Sequence, residues 1–304
     1  ITDTLQRQVA EGRVGHAYLF TGTRGTGKTT CAKILAKAAN CQHPHDGDPC
    51  NECDICRGID DSSIMDVVEI DAASNNGVDN IRSLQEEVSF TPAVAKYRVY
   101  IIDEVHMLSG GAFNALLKTL EEPPAHVLFI LATTEVHKLP ATILSRCQRF
   151  DFNRIRPADI AGRIDYIAGQ EGFTVAEDAA LLIARLSDGA LRDALSLLDQ
   201  CSAAETVDTA AVLNAMGLAG TLRTQSIADA VLAGNTEEAL TQFESLWQDG
   251  KDPAALLGEL SGLFRDALLL RLAPKGGRTL ISGAYGENVL RDIRAGDGNL
   301  LWLL

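Results

Sequence analysis

The stretch that decides the fold is Gly22-Thr23-Arg24-Gly25-Thr26-Gly27-Lys28-Thr29, a complete phosphate-binding loop of the form G-x-x-x-x-G-K-[ST]. An apolar run at residues 17–20 predicts a buried strand before it, and residues 30–39 predict a helix after it. Backbone N–H groups of such a loop wrap phosphate oxygens, and the helix N-terminus faces the negative charge. A glycine-rich turn without a ligand is disfavoured, because strand, loop, Lys-Thr pair and helix agree.

The side chains of this loop have separate predicted roles. Lys28 reaches the β- and γ-phosphates, and the hydroxyl of Thr29 is a ligand for Mg²⁺. The predicted ligand is therefore ATP with Mg²⁺. The predicted nucleotide-binding residues of the segment are Gly22, Thr23, Gly25, Thr26, Gly27, Lys28, Thr29 and Thr30.

A second motif, residues 98–104, is a β-branched strand that ends in two carboxylates. An Asp at the end of a strand beside a phosphate loop belongs to the Mg²⁺ shell, which is the predicted role of Asp103. Glu104 is predicted to orient or deprotonate the attacking water. Next to a complete phosphate loop, this interpretation is favoured over an ordinary acidic strand end, and Glu104 predicts a hydrolase instead of a passive binder.

Four of the seven cysteines are close in sequence: Cys41, Cys50, Cys53 and Cys56. Two C-x-x-C steps share Cys53, and four thiolates suit a structural, tetrahedral Zn²⁺ site. His43 and His45 are rival ligands, and disulfide, redox or unliganded cysteines are the remaining alternatives. The sequence thus predicts a zinc module over residues 41–56. The isolated Cys31, Cys147 and Cys201 are expected to be buried small hydrophobes.

Composition limits the function classes. The chain has 304 residues and a formal net charge of −14, which repels nucleic acid unless a local basic surface or a shared surface of an assembly compensates. No apolar run is long enough to span a membrane, and a cytoplasmic location is expected. Residue 1 is Ile, and residues 300–304 are apolar to the last position. We expect from both ends that the sequence is part of a longer gene product.

Strand and helix patterns alternate up to about residue 153, which predicts an α/β fold with a mostly parallel sheet and helices on both faces. After that point the strand signals disappear and helical patterns follow. The predicted organisation is a nucleotide domain at residues 1–154, a small helical domain at 155–218 and a third helical domain at 219–304, with a linker at 217–220.

The ordered set of motifs resembles the bacterial DNA polymerase III gamma/tau family, the clamp-loader motors within the AAA+ ATPases. The set comprises residues 22–29, the four cysteines, Asp-Glu-Val-His at 103–106, Ala-Thr-Thr at 132–134, Ser-Arg-Cys at 145–147 and Gly-Ala-Leu-Arg at 189–192. The resemblance implies an AAA+ P-loop domain with a zinc-binding insert, then a helical lid and a helical collar. The related delta-prime subunits are expected to lack a working phosphate loop.

The resemblance also implies roles for three further residues. Thr134 matches sensor 1, near the γ-phosphate and the attacking water, although a hydroxyl that caps a strand is the alternative. Arg192 matches sensor 2 in the lid, and Arg146 matches the arginine finger that completes a neighbour's ATP site. On sequence alone, a surface arginine is an alternative for Arg192 and the favoured interpretation for Arg146, which the resemblance reverses. The segment that helps to hold the adenine in this family precedes residue 1, so no adenine contacts are assigned.

The implied function is the ATPase motor of a replicative clamp loader, without polymerase chemistry of its own. Its implied partners are further copies of itself, delta and delta-prime types of subunit, a sliding clamp, and primer–template DNA held by a shared inner surface. Lys96, Arg98 and Lys138 are candidate contributors to that surface. A helicase-type or branch-migration motor is an alternative that the cysteine insert disfavours, and a non-hydrolysing ATP-binding scaffold is one that Glu104 disfavours.

Overall fold

A computed structural model of the chain describes residues 1–202, 206–216, 221–248, 250, 252–273, 281 and 290. The chain divides into two compact units, Ile1–Arg154 and Ile155–Leu304. The predicted linker at 217–220 and the apolar residues 300–304 lie outside the described residues. Among the described helices, none is both long and apolar enough to cross a membrane.

The first unit contains one five-stranded sheet. Its strands are β1 (Ala17–Gly22), β2 (Val67–Asp71), β3 (Arg98–Asp103), β4 (Val127–Thr133) and β5 (Gln148–Phe152). They lie in the order β2-β3-β4-β1-β5, and every neighbouring pair is parallel. All seven residues of β4 are buried, as expected of a central strand covered on both faces. This arrangement confirms the predicted α/β class.

Helices cover both faces of this sheet. They are α1 (Thr2–Ala10), α2 (Lys28–Asn40), α3 (Asp54–Asp60), α4 (Val78–Val88), α5 (Gly110–Glu121) and α6 (Ala141–Leu144), with 3-10 turns at Val105–Met107 and Val136–Lys138. Side chains alternate between the faces along each strand. Leu19 and Leu131 pack with α4 and α5, whereas Phe20 and Ile130 pack with α1 and α2. The two apolar layers fix the strand register.

That register brings the carboxyl ends of the strands together. Thr21 pairs with Thr133 across β1 and β4, and Asp71 pairs with Asp103 across β2 and β3. Ligands of open parallel sheets bind at this edge, where the strand order reverses. The phosphate loop, Asp103 and Thr134 therefore share one edge.

The second unit is mainly helical. Its helices are α7 (Pro157–Glu171), α8 (Glu177–Leu186), α9 (Leu191–Cys201), α10 (Thr209–Ala215), α11 (Thr221–Leu232), α12 (Thr236–Gln248) and α13 (Pro253–Leu272). Helices α7 to α10 share one apolar cluster, and α11 to α13 share smaller ones. Two short strands, β6 (Thr174–Val175) and β7 (Thr206–Val207), pair in parallel where the sequence analysis predicts only helices. Their β-branched residues favour the extended backbone, but two residues are too few to give a periodic signal.

Candidate nucleotide site and four-cysteine cluster

The phosphate-binding loop connects β1 to α2 with three glycines in the positive-φ region. Gly25 has φ +76° and Gly27, the N-cap of α2, has φ +90°. Gly22 has φ +146°, and a Cβ there would lie 2.2 Å from the carbonyl oxygen of Phe152. The loop conformation thus depends on glycine, both for backbone freedom and for the close approach of β5.

Lys28 lies inside this loop. Its Nζ donates hydrogen bonds to the carbonyl oxygens of Gly22 (2.9 Å) and Thr23 (2.8 Å), and only 6% of the residue is exposed. Burial lowers the pKa of its amine, while the charges of Glu104 and Asp103 act in the opposite direction. The cation is therefore held where phosphate oxygens enter the loop, by neutral acceptors that a phosphate can replace.

Thr29 and Asp103 meet at the ends of α2 and β3. The Thr29 hydroxyl donates to Asp103 Oδ2 at 2.7 Å, and Asp103 Oδ1 accepts the backbone N–H of Glu104 at 2.9 Å. Hydroxyl and carboxylate oxygens are hard ligands of the kind that Mg²⁺ prefers. The pair predicted from two separate motifs is one cluster in the structure.

Glu104 lies at the centre of a second set of contacts. Its backbone is left-handed, with φ +46°, which is uncommon for a residue other than glycine and concentrates at functional sites. Its Oε2 accepts the Thr134 hydroxyl at 2.9 Å and the Thr134 backbone N–H at 3.2 Å. The end of β4 thus holds the carboxylate at the same sheet edge as Lys28.

His106 is a member of this network that the sequence analysis missed as a site residue. Its Nδ1 lies 3.0 Å from the Thr133 hydroxyl and 3.3 Å from Glu104 Oε2, and its Nε2 lies 3.8 Å from Glu135 Oε1. The side chain is 6% exposed. Its only signal in the sequence is its place in the Asp-Glu-Val-His string at 103–106, which carries the family resemblance.

The two remaining predicted arginines belong to different units, Arg146 to the first and Arg192 to the second. Arg146 Nη2 is 2.7 Å from Glu121 Oε1, and its Nη1 donates to the carbonyl oxygen of Thr142 at 2.7 Å. Arg192 is exposed in the first turn of α9, in the second unit. Thr30 is exposed in the first turn of α2.

The candidate basic residues are largely neutralised by neighbours. Arg98 pairs with Glu87 at 3.1 Å, and Lys138 pairs with Glu135 at 2.5 Å. Lys96 lies over the ring of Tyr97, 5.1 Å from its centroid. Lys96 is exposed, and among the described contacts it has no ion-pair partner.

The four clustered cysteines form a second centre, directly after α2. Their Sγ atoms all lie within 4.8 Å of one another, and within the described part of the chain no other group of His, Cys, Asp and Glu is so arranged. The N–H groups of Cys50, Cys53 and Cys56 donate to the sulfurs of Cys41, Cys50 and Cys53, at 3.3, 3.3 and 3.4 Å. Zn–S bonds of about 2.3 Å place tetrahedral sulfurs about 3.8 Å apart, so the donor set fits.

The four thiols of the cluster differ in acidity. Burial raises the pKa of Cys53, but hydrogen bonds from the N–H groups of Gln42 and Cys56 and from neighbouring thiols outweigh it and lower the pKa to about 6. N–H groups of Glu52 and Cys53 lower the pKa of Cys50, whereas burial raises the pKa of Cys41 and Cys56. Both rival ligands, His43 and His45, have exposed side chains, and His45 pairs with Asp46. The histidines therefore lie outside the cluster. Of the three isolated cysteines, Cys201 is buried and the other two are partly buried.

A buried lysine connects this module to α2. Lys37 Nζ donates to Asn51 Oδ1 (2.8 Å) and to both carboxylate oxygens of Asp60 (2.9 and 3.1 Å). A second connection joins Gln6 of α1 to Asp48 at 2.8 and 2.9 Å. The cysteine segment is thereby fixed to the helix that begins at the phosphate loop.

Three family models match the chain in succession. Residues 1–156 match DNA polymerase III, delta subunit; residues 159–204 match the ATPase lid domain of the DNA polymerase III clamp loader subunit; residues 207–292 match domain III of DNA polymerase III subunits gamma and tau.

Relatives carry corresponding names. DNA polymerase III subunit tau of Bacillus subtilis (strain 168) is 52% identical over 276 residues, which are 90% of this chain and 49% of that protein. The tau subunit of Escherichia coli (strain K12) is 42% identical over 90% of this chain and 43% of that protein. The chain thus spans about half the length of the curated relatives it matches.

Solved structures support the fold. The Holliday junction branch migration motor RuvB of Thermotoga maritima aligns with a TM-score of 0.52 and 19% identity, over 75% of this chain and 72% of that one. At this identity, the likeness concerns the fold alone.

Proposed function

The chain belongs to the family of DNA polymerase III gamma and tau subunits, and on that premise we propose that it is the ATPase motor of a replicative clamp loader. ATP binding and hydrolysis would drive the opening of a sliding clamp and its loading onto primer–template DNA. One observation carries the proposal: Lys28, Thr29, Asp103, Glu104 and Thr134 come from separate segments and converge at one sheet edge.

The proposed chemistry follows from these contacts. Phosphate oxygens would replace the carbonyls of Gly22 and Thr23 as acceptors for Lys28. Thr29 and Asp103 would hold Mg²⁺, which would neutralise phosphate charge when bound. Glu104 would accept a proton from a water molecule while the oxygen of that water attacks the γ-phosphorus. The bond between the γ-phosphorus and the β–γ bridging oxygen breaks, so that phosphate forms and ADP leaves.

Further residues complete the proposed site. The Thr134 hydroxyl orients Glu104, which supports the sensor-1 role. Arg192 would reach the nucleotide from the lid. Arg146 would stabilise the transition-state charge at the site of a neighbouring chain, since a finger supplied in trans is worth about 10³–10⁵ in rate where it is known.

The four cysteines would hold a structural Zn²⁺. Four thiolates would complete the coordination of the ion and leave no position for substrate. The module would then stabilise the fold around α2 without taking part in hydrolysis.

The proposed partners are further copies of the chain, delta and delta-prime types of subunit, the clamp and DNA. The net charge of −14 supports a shared DNA-binding surface over a stand-alone one. The collar, proposed for residues 219–304, would join the subunits, and the proposed lid covers residues 155–218.

The test is capture of a sliding clamp by the loader assembled with this chain, with and without ATP. We expect ATP-dependent capture, lost in Lys28→Ala and retained in Lys33→Ala, a matched change on the exposed side of the same helix. Capture that is absent in both conditions, or equal in both, would contradict the proposal.

A further inference from the structure

We propose that Glu121 is a positioning residue for Arg146, and that it acts on ATP hydrolysis at the site of the neighbouring chain. This inference rests on the proposed function, because it requires Arg146 to act in trans. It adds a residue that no loop or sensor motif of the sequence contains.

The guanidinium of Arg146 is held at both terminal nitrogens by two different elements. Nη2 lies 2.7 Å from the carboxylate of Glu121, the last residue of α5. Nη1 donates to the Thr142 carbonyl at 2.7 Å and to the Ser145 hydroxyl at 3.3 Å, on α6 and directly after it. These contacts fix both the position and the plane of the group.

Both supporting elements are anchored in the core. Leu116 and Leu120 of α5 are buried, and so is Ile143 of α6, all in the same apolar cluster. A functional group held by side chains on packed elements keeps its geometry better than one on a free loop. The ends of α5 and α6 therefore form a rigid support for Arg146.

The contacts leave donors available. Arginine has five N–H donors, and the three contacts with Glu121, Thr142 and Ser145 use three of them. The two that remain suffice for a bidentate contact with phosphate oxygens.

A purely stabilising role explains the pair poorly. The Arg146 and Glu121 side chains are 33% and 50% exposed, and ion pairs this open to water contribute little to stability. Orientation of a flexible arginine before it meets a phosphate lowers the entropic cost of reaching the transition state. Glu121 is therefore expected to affect the rate constant of hydrolysis and not the stability of its own chain.

The experiment separates the chain that donates the finger from the chain that binds ATP. The reference is a mixture of Lys28→Ala chains, which bind no ATP but carry Arg146, with Arg146→Ala chains, which bind ATP but lack the finger. The two are mixed with the remaining loader subunits, and co-assembly is verified by size. ATPase activity then comes from interfaces that pair an intact Lys28 with a neighbour's Arg146.

Glu121→Gln is placed on either partner of this mixture. On the donor (Lys28→Ala) chain we expect kcat to fall about tenfold, below the ~10²-fold that a 1 Å misplacement of a reacting group can cost, with KM for ATP unchanged. On the acceptor (Arg146→Ala) chain we expect no change, because Glu121 there has no finger to hold. Glu122→Gln on the donor, which removes the adjacent exposed carboxylate, controls for loss of charge and should leave kcat unchanged.

Each other outcome overturns the inference. An equal fall of kcat with Glu121→Gln on either chain would indicate a structural role. An unchanged kcat with the substitution on the donor chain would mean that Glu121 does not position Arg146, and a higher kcat would mean that Glu121 restrains Arg146. A reference mixture that co-assembles but is inactive would instead remove the trans role of Arg146, and with it the premise taken from the proposed function.

Discussion

Helix α2 carries a different kind of site at each end. Lys28, the first residue of α2, belongs to the candidate nucleotide site, and Cys41, directly after its last residue, belongs to the cysteine cluster. At the first end, groups of different chemistry are hydrogen-bonded: the Lys28 amine donates to a backbone carbonyl, and the Thr29 hydroxyl donates to the Asp103 carboxylate. At the second end, four identical thiol groups face each other. The mixed groups at the first end suit the proposed turnover of ATP, whereas the four thiols at the second end suit permanent binding of one ion.

The physical difference between the two ends lies in the strength of the contacts that a bound ATP or metal ion would replace. Each contact of Lys28, Thr29 and Glu104 is a single hydrogen bond or a pair of them, and such bonds contribute about 0.5–1.5 kcal/mol net, up to about 3 with a charged partner. A triphosphate can exchange them reversibly. Four clustered thiolates repel one another unless a cation joins them, so removal of the proposed Zn²⁺ would destabilise the fold around the cluster.

The largest expected effect is the loss of ATP hydrolysis in Glu104→Gln, at the nucleotide end of α2. Glu104→Gln keeps the shape of the side chain but cannot accept the proton of water, so hydrolysis should fall about 10²-fold or more, the usual size of a general-base effect. ATP binding should persist, because Lys28 and Thr29 are intact. Phosphate release and nucleotide binding, measured on the same preparation, check both expectations.

Glu135→Gln is the matched control for that prediction. Glu135 also lies near His106, at 3.8 Å, but no hydrogen bond joins its carboxylate to Thr134 among the described contacts. Its loss should be much smaller than that of Glu104→Gln. Equal losses would mean that the charge around His106, and not the contact of Glu104 with Thr134, determines the rate.

The next largest expected effect is the loss of bound metal in Cys53→Ser, at the cysteine end of α2. Purified protein should contain about one Zn²⁺ per chain, and Cys53→Ser should lower that content because a hydroxyl is a poor replacement for a thiolate. The change should reduce solubility before it affects ATP binding. Elemental analysis of reduced protein that was never exposed to chelator provides the measurement.

Cys31→Ser is the control on the same helix. Cys31 lies in α2 but outside the cluster, so its replacement should leave the metal content unchanged. Protein that contains no metal from the start would contradict the zinc assignment, and equal loss in both variants would contradict the choice of ligands.

The motifs at both ends of α2 can be predicted from the sequence, but one strand beside them gives little signal. The cysteine cluster follows from spacing alone, because its ligands lie within sixteen residues. The strand at 98–103 and the loop at 22–29 are equally visible, since β-branched runs and glycine patterns are local. Strand β5 has a weaker signal, because it lies at a sheet edge, where Arg149 and Asp151 interrupt the apolar run.

Contacts between distant residues are harder to predict. His106 meets Thr133 only because two strand ends are neighbours, and Glu121 meets Arg146 across 25 positions. No local pattern encodes either pairing. The sequence therefore indicates which chemistry is present, while the fold determines which groups support it.

The smallest expected effect is the destabilisation of the cysteine module in Lys37→Met. It tests whether loss of stability at one end of α2 affects the other end. Lys37 and Lys33 lie one turn apart on this helix and each pairs with a carboxylate, but Lys37 is 11% exposed and Lys33 45%. Lys37→Met should destabilise the cysteine module by about 1–3 kcal/mol, because charge-assisted bonds to Asp60 and Asn51 are lost. Lys33→Met should cost less than about 1 kcal/mol, as exposed pairs do.

Hydrogen exchange of the amides of α3 is the proper measurement, because global unfolding of a chain with several domains is not two-state. Faster exchange in Lys37→Met, with α2 amides near Lys28 unaffected, would mean that Lys37 holds the module without influence on the nucleotide end. Faster exchange at both ends would mean that the module stabilises the phosphate loop through α2. Equal exchange in the two variants would show that burial of Lys37 contributes nothing, and that the sulfurs alone hold the module in place.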